Sequence, residues 1–324
     1  MRRIFLCMIL MTLTACCAVA QQAPLRPALT DPVDIAVQRL SVTSQRNEAF
    51  EDIPYNNGHL SARGCQAVSI ANAVIALFGV EDDAAGMEIV KETARLLVHP
   101  KYIGRSRIEL SRLPLLLDAQ ARAQDAQAYP QLARAIGPYP GEMLVVEDEI
   151  DAPMLTRHIE ETDGAFVLAG RMTVDPDWSG MIDIMAALDQ MGMGDALVCL
   201  ANVGAGRAST GTPLGLGNNG HYLTVLLHVG TFMEQGRVYV LDSLPRAIAG
   251  EKSGYTQVLR SPYPFAEEKN AFADRFDASR IRENVIRLSI KDEAAWQSAD
   301  AQEKAGMMSP LILYGPGVML IAAK

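Results

Sequence analysis

The strongest constraint on this chain is a pair of apolar runs in its second half. Residues 221–229 read His-Tyr-Leu-Thr-Val-Leu-Leu-His-Val, and residues 237–242 read Arg-Val-Tyr-Val-Leu-Asp. Short, continuous runs of β-branched and aromatic residues fit strands covered on both faces. The intervening Glu234-Gln235-Gly236 reads as a tight turn, so the two strands should pair as a hairpin. That brings the end of the second run, Asp242, close to the start of the first, His221. Further strands are expected over 165–169, 196–202, 285–290 and 311–321.

Helices dominate the first half. Ala67, Ile70, Ala71, Val74, Leu77 and Phe78 recur at the spacing of one helix face, which predicts a helix over 66–78 closed by Gly79. Residues 82–98, 152–161, 178–190 and 292–304 also read as helices, and 106–135 as helix with breaks. Helices first and strands later is an α+β order rather than regular βαβ alternation. Residues 203–220 form a loop with glycines at 204, 206, 211, 215, 217 and 220. It has no phosphate-loop lysine and opens no helix. Trp178 and Trp296 read as core or groove residues rather than a ligand box. Glu147, Asp148, Glu149 and Asp151 read as a solvated turn rather than a calcium site.

The N-terminus reads as an export signal. Met1-Arg2-Arg3 is basic, and residues 4–15 carry no charge and are too few to span a bilayer. Leu13-Thr14-Ala15-Cys16 has the form of a bacterial lipobox, in which Cys16 is lipidated. Ala18-Val19-Ala20 offers the alternative, an ordinary cleavage before Gln21. The segment organisation is then 1–20 as signal (1–15 if lipidated), 21–48 as a Pro-containing linker, and 49–324 as one domain with a helical insertion at about 80–195. The expected location is the periplasm or outer membrane, with membrane attachment through the lipid, or else secretion. A net charge of −9 argues against nucleic acid as partner. No cofactor is expected, and the cysteines and histidines have no zinc spacing.

Of five cysteines, only Cys65 and Cys199 lie outside the export segment. A disulfide between them is one reading. The other starts from Gly64-Cys65-Gln66, where a helix begins at or just after the thiol. The positive end of the helix and its unpaired N–H groups favour a thiolate and can hold an oxyanion. His221, at the mouth of a buried strand, is the best base among the five histidines, with His59 the main competitor. Asp242 would orient it.

These residues carry a resemblance. Ile53-Pro54-Tyr55-Asn56-Asn57 and residues 63–74, Arg-Gly-Cys-Gln-Ala-Val-Ser-Ile-Ala-Asn-Ala-Val, resemble the first half of the C39-like peptidase family of the papain-like cysteine peptidase superfamily. Residues 220–225 and 238–242 are similar to that family's block of catalytic histidine and aspartate. The resemblance implies a papain-like fold, in which a helix bearing the nucleophile packs on an antiparallel sheet bearing His and Asp. It also implies a Cys65–His221–Asp242 triad. The family's oxyanion glutamine has no counterpart, and Asn57 or Asn56 is the substitute. The expected activity is hydrolysis of peptide or isopeptide bonds in a peptide or protein substrate, with envelope peptides a natural option. The alternative is a non-catalytic envelope binding or assembly protein on the same fold.

Overall fold

The computed structural model describes residues 33, 45, 47–55, 57–98, 127–137, 142–162, 166–173, 178–205, 222–243, 274–282, 285–311, 313–314 and 316–323. The chain divides into two compact units, residues 1–35 and 36–324. Of the first, Val33 alone is described, in a helix. Every other described residue belongs to the second.

A 3-10 turn at Glu48–Phe50 leads into a two-strand hairpin, β1 (Pro54–Tyr55) and β2 (Gly58–His59). Asn57 makes its turn at φ 60°, a left-handed conformation that asparagine tolerates better than most residues. One helical turn, α1 (Leu60–Arg63), leads into α2 (Cys65–Phe78). The helix expected over 66–78 therefore starts at the cysteine itself. Gly79 ends it at φ 80° with its N–H on the Ile75 carbonyl. The periodicity suggested one buried face, but residues 67–75 are all buried, so α2 is covered around its circumference. Next come α3 (Asp83–Val98), α4 (Pro130–Ile136), β3 (Glu142–Glu149), α5 (Ala152–Glu161), β4 (Phe166–Thr173) and α6 (Ser179–Gln190). Between residues 80 and 195, read as a helical insertion with one strand over 165–169, the chain supplies that strand as β4 and also β3. The acidic run expected as a turn is divided: Glu149 ends β3, and the Asp151 side chain caps α5 by accepting from the Met154 N–H at 2.8 Å.

The remaining elements are β5 (Leu197–Ala205), β6 (Leu223–His228), α7 (Val229–Gln235), β7 (Val238–Asp242), β8 (Phe276–Arg282), β9 (Val285–Ile290), α8 (Glu293–Ser298), α9 (Ala301–Met308), β10 (Leu313–Tyr314) and β11 (Pro316–Ala323). The large sheet runs β3-β4-β11-β5-β6-β7-β9-β8, with β10 also on β5. All its ladders are antiparallel except β3 on β4. Mixed helix and antiparallel sheet is the α+β class read from the sequence.

Two expectations are corrected. β6 and β7 do pair antiparallel, but through a two-turn helix rather than a tight turn. Val229 and Phe232 bury one face of α7, and Phe232 lies between Trp178 (ring centroids 6.4 Å) and Trp296 (5.4 Å). The helix expected over 292–304 is two, because Asp300 restarts it with a reciprocal capping box to Glu303.

Every residue of β6 is buried, so both faces of the sheet are covered. Leu223, Val225 and Leu227 join a core with α5, α6, α7, α8 and α9. Thr224, on the opposite face, meets α2. Among the described residues no helix is long and apolar enough to cross a membrane.

Candidate active site

Cys65 is half-buried at the first position of α2. The chain reaches it through a close turn. Gly64 donates to the Leu60 carbonyl at 2.8 Å, and a Cβ on Gly64 would stand 2.4 Å from that oxygen and 2.5 Å from Leu60 Cδ1. A side chain at 64 would push α1 off α2, so the glycine before the cysteine is a packing requirement. Cys65 thus stands in the first turn of α2, where the N–H groups have no carbonyl partner within the helix.

One turn further on, α2 is fastened to the sheet. The Ser69 hydroxyl donates to the Leu223 carbonyl at 2.7 Å, and the Thr224 hydroxyl donates to the Ser69 carbonyl at 2.6 Å. All three residues are fully buried. Leu223 in turn is the register partner of Asp242, the last residue of β7. Opposite the start of β6, β5 carries one extra residue, since Leu200 pairs with Val225 but Val203 with Leu223. The N-terminus of α2, the first residue of β6 and the end of β7 therefore meet at one place.

His221 lies outside the described residues, as do Asn56, Cys16 and His99. Of the described histidines, His158 and His228 are engaged elsewhere. His59 is exposed on β2. His158 packs edge-on against Phe166 at 5.1 Å. His228 caps α7, its Nδ1 accepting from the Thr231 N–H at 3.2 Å. Asn57 is exposed at the hairpin turn.

Neither Cys65 nor Cys199 is in a disulfide. Cys199 is fully buried in β5, and burial pushes its thiol well above the usual range.

Three further residues stand at this place: Tyr55, read in the sequence only as part of the Ile53–Asn57 stretch, and Ser243 and Gln45, which carried no signal there. Tyr55 is 3% exposed, and its hydroxyl has no hydrogen-bond partner among the described residues. Burial raises its phenol strongly, and the charges that Cys65 and Tyr222 would carry raise it further. Ser243, directly after Asp242, donates its hydroxyl to the Tyr222 carbonyl at 2.8 Å. Gln45, near the end of the stretch read as a linker, is 2% exposed. Its backbone N–H donates to Ser243 at 2.7 Å and its Nε2 to the Ser61 carbonyl at 3.0 Å. No pattern rule picks out a lone Gln in a proline-containing stretch, or a Ser after a strand; only their partners identify them. A cavity of about 300 Å³ lined by Phe78, Ile89, Gln131 and Arg134 lies at the other end of α2. The 14-residue helix puts it about 20 Å from Cys65, too far to serve the same chemistry.

No protein-family model, no curated protein and no solved structure matches this chain.

Proposed function

We propose that the protein is an exported thiol hydrolase of papain-like fold, cleaving peptide or isopeptide bonds with Cys65 as nucleophile. The observation that carries this reading is the fastening of Ser69 to Leu223. It ties the helix start that bears Cys65 to the strand start that follows His221, whose ladder partner is Asp242.

In this mechanism the Cys65 thiolate attacks the carbonyl carbon, forming the S–C bond and moving the C=O pair onto oxygen. First-turn N–H groups of α2 hold the oxyanion. The His221 imidazolium, formed on deprotonating the thiol, gives its proton to the leaving amine as the C–N bond breaks. Water, deprotonated by the imidazole, then attacks the thioester and releases the acid and the thiol. Asp242 orients the ring. The reading requires the chain to depart from regular strand geometry at both positions, because a regular ladder would turn 221 and Asp242, the register partner of Leu223, to the face of Leu223, away from α2. β6 begins at Leu223, with Tyr222 already outside it.

The test is incubation of the full chain with cell-envelope peptides and with unrelated protein, followed by mass spectrometry of the products. Release by the wild type and none by Cys65→Ala is expected, with equal melting temperatures. Retention of envelope peptides by both proteins without cleavage would instead favour the non-catalytic binding reading.

A further inference from the structure

We infer that Gln45 is a positioning residue of the Cys65 site, acting with Ser243 as a tie across the three segments that carry Cys65, His221 and Asp242. The inference rests on the reading of Cys65 as nucleophile and His221 as its base.

The geometry is a chain of three hydrogen bonds. Ser61, four residues before Cys65, accepts from Gln45 Nε2 at 3.0 Å. The Gln45 N–H donates to the carbonyl of Ser243, the residue after Asp242, at 2.7 Å. The Ser243 hydroxyl donates to the carbonyl of Tyr222, the residue after His221, at 2.8 Å. Ser69 fixes α2 against β6 from one side of Cys65, and this chain fixes the approach to Cys65 from the other. Two ties on either side of one residue restrain both its distance from the sheet and its rotation about the helix axis; one tie restrains only the first.

The burial of these groups supports the assignment. Gln45 and Ser243 are 2% and 0% exposed, so the donor side chains are largely shielded from water, while their acceptors Ser61 and Tyr222 are partly buried. Gln45 Oε1 has no partner among the described residues. Sequestering a primary amide with one atom unsatisfied is unfavourable, and an apolar residue would fill the space without that penalty. What leucine or methionine could not supply is the Nε2 donor to Ser61. Small misplacement matters here because attack by sulfur and proton transfer by the imidazole both require near-contact geometry.

The test is alkylation of Cys65 by iodoacetamide in the full chain, read at the Cys65 peptide by mass spectrometry over a range of pH, with the melting temperature measured in parallel. Gln45→Ala and Ser243→Ala should slow the reaction about 10–100-fold near neutral pH. Both should also move the pH profile toward that of His221→Ala. Ser243→Thr keeps the hydroxyl and should recover most of the rate. A Gln45→Ala profile that superimposes on the wild type overturns the inference, as does a loss that follows only the unfolded fraction. If His221→Ala itself reacts like the wild type, the pairing of Cys65 with His221 falls first and the positioning role falls with it.

Discussion

The Ser69 hydroxyl and the Leu223 carbonyl stand 2.7 Å apart in the fully buried contact between α2 and β6. One bond, made across 154 residues of sequence, sets where the helix begins relative to where the strand begins. Ser69→Ala removes the donor and also the hydroxyl that lies 3.1 Å from Thr224 Oγ1. The expected loss is about 1–3 kcal/mol. In a domain of this size that lowers the melting temperature by about 2–4 °C per kcal/mol. An unchanged melting temperature would mean that apolar packing alone seats α2.

Cys65 and Cys199 should behave oppositely. Cys65 is half-buried and Cys199 is fully buried with its thiol held protonated. Of the two, a haloacetamide should label Cys65 in native protein and Cys199 only on unfolding. Labelling of Cys199 at the native rate of Cys65, read by peptide mass spectrometry, would contradict the burial of β5.

Glu92 gives a pH dependence with a defined sign. Its carboxylate accepts from the Leu132 and Gln131 N–H groups at 2.8 and 3.1 Å, holding the start of α4 against α3. Burial raises its pKa above the ordinary 4.5, while those two N–H groups and Arg95 pull the other way. A carboxyl raised on folding binds its proton more tightly in the native state. Its contribution to stability is therefore complete below about pH 4.5 and is lost as pH rises through the folded value. Glu92→Gln removes that titration. The urea midpoint of the wild type should fall relative to the variant across this rise; a gap that does not move with pH would assign the titration elsewhere.

Tyr55→Phe deletes a hydroxyl that is buried and unpartnered among the described residues. No hydrogen bond is lost and a desolvated polar group is removed, so the melting temperature should stay level or rise. A fall of more than about 1 kcal/mol would reveal a partner bonded to that oxygen.

Several elements were legible because neighbouring residues alone encode them. The strand over 285–290 and the helix over 152–161 form as read, and the helix over 66–78 gains only Cys65 at its start. Their signals are a periodicity and a stop residue, both local. β8 and β3 had no such signal. They are the two ends of the sheet order, where a strand is defined by one neighbour rather than by its own pattern. Val229 to Gln235 read as strand end and turn, yet it coils into α7 because Phe232 has two tryptophans to pack between.

The same division runs through the candidate site. A cysteine at a helix start, after a glycine that must be a glycine, is written in consecutive residues. So is the antiparallel pairing of the strands at 223–228 and 238–242, which their apolar composition and close spacing imply. Tertiary structure alone decided the rest: that Ser69 bonds to Leu223, that Gln45 leaves its proline-containing stretch to bond Ser61 and Ser243, and that Tyr55 is sealed beside Cys65. Helices and turns follow from forces between residues a few positions apart. A hydrogen bond spanning 16 or 154 positions depends on where the whole sheet has carried its partner.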